Sequence, residues 1–539
     1  MKKYNVFKVI GISILISIVL SFLVPSTTFD SYGKASTGNI NPVSFIDTFS
    51  NGITSLSVFL NTFIYILSIG VLYFVLNKTG KYKEIVNNTA YKFKDKKNVF
   101  VILSILMFGI VTAIIGDMIP MLVFVPMFID ILRKLGYNKY MSILTTIGSI
   151  IFGSTGSLYT NYTNQILQAT VSDNIYFKIL LLVLTLGSLI IFSLFFSKKP
   201  EETKLEKINT TTGKSISILF DVILLFIIIG FTPWSSYFGF DGFTDFHKTV
   251  TDFKLFNVSL FNALISSNIT AFGQWTLFSL SAIVLIVSLI ISLIYKFKFD
   301  DLLETLAESI KKTLPYALIV VLANVVLVNV YNSGFFYTIL VNLFNLSDKL
   351  FSGVIASLLS AFVYPDYMYA TQFSLSTISA TLGSTSKFLI VLAVVFQAVY
   401  SAFLLLVPTS VLVLLGLRFT NGTYKEWFKY IFKYFMVVFS IMLIMLMILG
   451  SKYIDVLSII LLVIVILIAI ISIILLKNKN EVIAIKEEKK EEKVEVKNEK
   501  IEKPAVKKTT TTKTTKKTNS KTTTKKSTSK ASTKKKNTK

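Results

Sequence analysis

Apolar runs long enough to cross a bilayer recur along this chain, and two in each half are broken by polar residues. Residues 6–23, 177–196, 276–295 and 456–476 each hold 18 or more residues with at most one charge, the length a spanning helix needs. The first half carries TAIIGDMIP (112–120) and then STGSLYTNYTN (154–164). The second carries YPDYMYATQ (364–372) and then SAFLLLVPTS (401–410). Asp117 lies 44 positions before Asn161, and Asp366 lies 43 before Thr409. Broken backbone at membrane depth is tolerated only where protein buries it or it lines a cavity. Paired breaks at matched spacing point to a midplane site between inverted repeats.

Lysines orient the elements. Clusters at 78–97, at 198–214 and beyond 477 predict cytoplasmic segments, whereas loops 27–51 and 232–274 fit the outside. Only Gly116-Asp117 separates the two arms of 100–131, so this stretch reads as a re-entrant hairpin with 112–120 at its tip. Residues 141–169 then cross, broken at 154–164. In the second half, 299–312 reads as an amphipathic surface helix, followed by a span from 314. A hairpin over 351–382 has 364–372 at its tip, and 388–417 crosses with its break at 408–410. The predicted fold is an all-α polytopic membrane protein of two inverted-topology repeats, each with a re-entrant hairpin and a broken transmembrane helix. Its parts are a first span (1–24), a first repeat (53–197), a linker with one span and an extracellular loop (198–275), a second repeat (276–450), a last span (454–477) and a tail (478–539).

Composition agrees: 53% of residues are hydrophobic, 14% are aromatic and mean hydropathy is +0.67. The N-terminal run is followed by further spans and lacks a small-residue cleavage site, so it reads as an uncleaved first span. There is no Cys, and the one His, His247, sits in a polar loop. That leaves no thiolate or imidazole metal site and no His-based triad, so no enzyme is expected. From 477 onward there are 22 Lys and 8 Glu, +14 of the net +25. Such a tail cannot bury enough apolar surface to order itself. It is expected to be disordered and cytoplasmic, lying on anionic lipid headgroups; without interleaved aromatics it is a poor nucleic-acid binder.

Four stretches resemble the anaerobic C4-dicarboxylate carrier family, in particular its YfcC-like branch, within the ion-transporter superfamily. They are VLNKTGKYKEIV (75–86), GDMIPMLVFVPMFIDILRKLGYNKYMSIL (116–144), FGQWT (272–276) with DDLLETLAESIKKTLPYALIVVLAN (300–324), and FQAVYSAFLLLVPTSVLVLLGLRFTNGTYKEWFKY (396–430). The resemblance implies a carrier working by alternating access, with a homodimer as its assembly. It covers about residues 1–450. The chain departs from the pattern at three places. Gly116-Asp117 stands where family members show two acids, and Tyr159-Thr160-Asn161 where they show an Asn-Pro-Phe-like element. Residues 364–369 stand where they show a Pro-Ser-Gly-Ser-Gly-like tip.

Within the breaks, Thr155, Ser157, Thr160, Asn161 and Asn164 of the first and Thr409 and Ser410 of the second are the candidate substrate-binding residues. Thr163 falls in the same cluster. Helix ends freed at such breaks offer N–H groups to a carboxylate and carbonyls to Na⁺. Asp117 and Asp366, ionisable at membrane depth, are the candidate cation-coupling residues, for Na⁺ or H⁺; no other cofactor is expected. No Lys or Arg falls inside the proposed site. This favours a secondary active transporter, symporter or antiporter, of a small carboxylate-containing metabolite, an amino acid and among these a basic one. The alternatives are a C4-dicarboxylate carrier and a non-transporting membrane scaffold that uses its basic tail. The expected location is the cell membrane, with both termini cytoplasmic.

Overall fold

The computed structural model describes residues 5–29, 35–158, 163, 166–170, 172–208 and 217–475. The tail lies outside them. Eight described helices are long and apolar enough to span a membrane: Asn5–Leu23, Leu60–Lys78, Lys97–Ile115, Ile175–Phe196, Leu277–Ile294, Phe299–Ser333, Tyr424–Leu449 and Val456–Leu475. Shorter apolar helices, Ser217–Phe231, Phe335–Leu346, Leu350–Val363 and Phe388–Phe403, lie between them. Strand is confined, among the described residues, to two short antiparallel pairs, Thr27–Phe29 with Ala35–Thr37 and Lys254–Leu255 with Val258–Ser259. The protein is therefore an all-α, multi-pass membrane protein.

Each repeat holds a hairpin and then a broken helix. The first hairpin is Lys97–Ile115, a 3₁₀ turn Pro120–Val123, and Val125–Lys134. The second is Leu350–Val363 followed by Tyr367–Ala370, a π turn Thr371–Leu375 and Ser376–Leu382. Lys139–Ile143, a π turn Leu144–Gly148 and Ser149–Thr155 make the first half of one broken helix. Phe388–Phe403 and Val411–Phe419 flank the break of the other. The first arm of each hairpin packs on its own broken helix, and the two broken helices pack on each other. Between membrane helices, small residues let backbones approach. A β-carbon at Gly153 would lie 2.3 Å from the Gly109 carbonyl oxygen, so this crossing requires glycine.

Residues 299–333 differ from the expected surface helix plus separate span. They form one helix that runs through Pro315. Proline removes one N–H and one helix bond, a loss the long helix absorbs. At 1.5 Å per residue it is about 52 Å long, against a hydrocarbon core of about 30 Å. Its charged first turns thus project beyond the apolar slab while the remainder spans it, so both expected elements exist as one.

The helix Phe45–Val58 shows how polarity is arranged. Ser44 and Asp47 cap its start reciprocally: the Asp47 amide donates to Ser44 Oγ (3.0 Å) and the Ser44 amide donates to Asp47 Oδ2 (2.9 Å). Phe45, Ile46, Phe49 and Ile53 are exposed, while Asn51 and Ser55 are buried. This is the reverse of a water-soluble helix and fits a face turned toward lipid. The buried polar groups meet helix Phe299–Ser333: Asn51 donates to Asn329 Oδ1 (2.8 Å), Asn332 donates to Asn51 Oδ1 (2.8 Å), and Ser55 donates to the Val321 carbonyl (2.7 Å). Asn329 also donates to Ser17 Oγ (3.0 Å), tying in the first helix.

Asn329→Val removes the centre of this ladder. It is expected to destabilise the protein by about 1–2 kcal/mol, read as a lowered melting temperature in detergent, while Asn262→Ala, at an exposed position, leaves melting unchanged. Equal melting of both variants would mean that the ladder does not hold these helices together.

Candidate functional site

The first hairpin tip follows from three residues. Gly116 ends helix Lys97–Ile115 in the left-handed region (φ +74°), a conformation costly for other residues. Asp117 Oδ1 then accepts the Ile119 amide (2.9 Å), and Pro120 opens the 3₁₀ turn. The Tyr65 hydroxyl donates to the Pro120 carbonyl (2.6 Å), fastening the tip to helix Leu60–Lys78. The second tip is shorter than the expected 364–372, because helix resumes at Tyr367. Tyr400 donates to the Tyr364 carbonyl (2.7 Å), and Asp366 Oδ1 caps the resumed helix through the Tyr369 amide (3.2 Å). Each aspartate thus spends one oxygen on its tip.

Both aspartates line one cavity of about 740 Å³. Its polar lining also includes Asn61, Thr62, Gln274 and Ser410, and Trp234, Phe240, Phe272 and Trp275 form one aromatic wall. Among its lining residues there are two carboxylates and no Lys, Arg or His. Ser410 is 1% exposed and its hydroxyl has no hydrogen-bond partner among the described residues. It precedes the nine-residue helix Val411–Phe419, whose first residues also line the cavity. Free N–H groups at such a helix start attract anions.

The other hydroxyls of the breaks go elsewhere. Ser157 Oγ donates to the Ala113 carbonyl (3.1 Å), and Thr409 Oγ1 donates to the Phe362 carbonyl (3.0 Å). These are equivalent bonds, since each serves an orphan carbonyl in the last turn of a hairpin's first arm. Thr155 Oγ1 bonds the Phe152 carbonyl (2.7 Å) and Thr185 (3.1 Å). Thr155, Ser157 and Thr409, expected at the substrate, brace the breaks in this structure and are not among the residues that line the cavity. The physical reason is that a freed carbonyl in a dry interior takes the nearest donor. Thr160, Asn161 and Asn164 lie outside the described residues. Thr163 pairs with the hydroxyl of Tyr367 (2.9 Å), joining the first break to the second tip.

Other braces were not foreseen. Gln397 donates to the carbonyls of Ser154 (3.1 Å) and Ser157 (2.8 Å), and Ser401 pairs with Ser154 (3.1 Å), so the two broken helices are cross-linked. Trp427 donates to the Leu405 carbonyl (2.8 Å), and the Tyr424 hydroxyl binds the Leu406 carbonyl. A glutamine inside the apolar run FLIVLAVVFQAVYSAF was the one available signal.

The family described as DcuC, C4-dicarboxylate anaerobic carrier, matches residues 43–451 by its sequence model. The chain belongs to that family. It is accordingly a membrane transporter and not an enzyme. No protein of curated function matches it by sequence. Among solved structures, it is similar to the YdaH transporter of Alcanivorax borkumensis, at 10% identity over 84% of this chain and 98% of that one, with a TM-score of 0.39. It is also similar to MtrF of Neisseria gonorrhoeae, described with a class of antimetabolite efflux pumps, at 14% identity over 82% and 94%, with a TM-score of 0.37.

A second cavity, of about 390 Å³, shares three elements with the first. On helix Leu60–Lys78 the first cavity touches Asn61 and Thr62, and the second Ile66 to Asn77. On the first hairpin they touch 115–119 and 122–130; on helix Val411–Phe419 they touch its start and its end. Roughly one helical turn divides them, with Tyr65, Met121, Val413 and Leu414 buried in it. Asp130, which accepts from Tyr82 (2.5 Å), lines the second cavity. A layer of buried side chains thus separates the two chambers.

The absence of Cys makes this testable. Asn61 and Asn77 are exposed side chains about 24 Å apart along one helix. Asn61→Cys and Asn77→Cys are expected to react with a membrane-impermeant maleimide from opposite sides of sealed vesicles. Labelling of both from one side would refute the two-chamber arrangement.

Proposed function

We propose that the protein is a cation-coupled carrier of C4-dicarboxylates in the cell membrane, working by alternating access. The observation that carries this reading is the cavity in which Asp117 and Asp366, one from each hairpin tip, stand together without a basic residue. Family membership favours a dicarboxylate over the amino acid that the acidic site alone suggested.

A dianion entering a cavity that already holds two carboxylates meets repulsion from both, and in a poorly hydrated site that repulsion is weakly screened. Transport is feasible if cations enter with it. Na⁺ held by a carboxylate and neighbouring carbonyls, or a proton on the carboxylate, removes one negative charge at each tip. The substrate carboxylates then find Ser410, the amides at the start of helix Val411–Phe419 and the polar side chains of Asn61 and Thr62. Coupling follows from that order of events, because the anion binds well only after the cations have bound.

An amino acid is the second reading, favoured by the same pair of carboxylates, since a substrate ammonium group would pair with one of them directly. Uptake by proteoliposomes separates the two. Labelled succinate is expected to accumulate when an inward Na⁺ or proton gradient is imposed, and arginine and glutamate are not. Asp117→Asn and Asp366→Asn are each expected to lower gradient-driven succinate uptake at least about tenfold without lowering the melting temperature. Gradient-driven arginine uptake with no movement of succinate would select the amino-acid reading. Wild-type succinate uptake in Asp117→Asn would remove that residue from coupling.

A further inference from the structure

The structure also carries a cluster of positive charge where helix Phe299–Ser333 leaves the apolar slab. From Thr313 to Ser333 the helix has no charged residue, a length of about 31 Å, which matches the hydrocarbon thickness. Lys311 and Lys312 therefore stand at the boundary with the headgroups. Beside them, at the end of helix Val411–Phe419, is Arg418, 9% exposed and held over the rings of Phe7 (5.7 Å) and Tyr316 (5.8 Å). A surface pocket of about 470 Å³ brings together Lys311, Lys312, Arg418 and one acid, Glu308. Glu308 pairs with Lys312 along the helix, and the formal charges of the residues lining the pocket sum to +2.

From the pocket an apolar track leads into the slab. Leu314 and Leu318, three and seven positions beyond Lys311 and so on the same helix face, are 37% and 36% exposed. We propose that this pocket binds one anionic phospholipid, its phosphate between Lys311, Lys312 and Arg418 and an acyl chain along Leu314 and Leu318. Guanidinium suits phosphate oxygens through its fixed fork of donors, and lysine adds charge at the membrane surface. The two helices that frame the pocket also line the second cavity, so a bound lipid would brace them against each other. The site is built from residues of the folded bundle.

The test is native mass spectrometry of the full-length protein titrated with phosphatidylglycerol or phosphatidylcholine. The expected result is one phosphatidylglycerol retained selectively, with its affinity lowered roughly tenfold in Lys311→Gln/Lys312→Gln and unchanged in Lys248→Gln/Lys254→Gln. The tail is present in every variant, so its own attraction for lipid cancels. Thermal melting checks the fold, and Lys311→Gln alone, at an exposed position, carries the test if the double variant unfolds. Equal retention of both lipids, or equal affinity in the pocket variants, would overturn the proposal. Displacement by glycerol phosphate at the lipid's own concentration would overturn the lipid assignment and make the pocket a site for a free phosphate monoester.

Discussion

Every backbone carbonyl and amide freed inside the bilayer must find a partner within the protein, and the architecture of this carrier depends on how its breaks meet that demand. A helix that stops in hydrocarbon leaves its last carbonyls without donors. Here those donors come from side chains on other elements. Ser157 and Thr409 serve the ends of the two hairpin arms, Tyr65 and Tyr400 serve the two tips, and Gln397 and Trp427 serve the broken helices. Most of these bonds run between segments distant in sequence. Satisfying the breaks and assembling the bundle are therefore one process.

What remains after this satisfaction defines the cavity. Asp117 and Asp366 each use one oxygen at home, while Ser410, beside a helix start, keeps a hydroxyl without a partner among the described residues. Polar atoms already engaged with the backbone contribute rigidity, and the few unengaged ones contribute chemistry. The acidic character of the cavity then follows from two residues with no basic neighbour in the lining, and this is where the charge balance of a transport cycle would be decided.

Helix Phe299–Ser333 acts as the spine on which this is mounted. It packs on the first helix, on Phe45–Val58, on Leu60–Lys78 and on Val411–Phe419. It does so with a polar stripe of Ser and Asn contacts facing inward and apolar residues facing lipid. In water that arrangement would be inverted. In lipid, apolar contact does not distinguish a neighbouring helix from an acyl chain, so close glycine crossings and buried hydrogen bonds select the partner.

The class of the molecule could be read from the chain alone. Length and apolarity of the runs determine spanning helices because the bilayer has a set thickness, and Gly116-Asp117 and Pro365-Asp366 mark breaks because glycine, proline and a capping aspartate act locally. Both aspartates named from sequence meet at the cavity for that reason, as does Ser410. The roles of the remaining hydroxyls were not legible. Whether Ser157 or Thr409 binds a substrate or a carbonyl depends on which helix end lies within 3 Å, and local sequence carries no record of that distance. The same holds for Gln397, for Tyr65 and for the aromatic wall from residues 234–275. Local chemistry determined where the helices stop and what the tips carry; only the packing of distant segments decided which polar groups are consumed as braces and which are left to face the cavity.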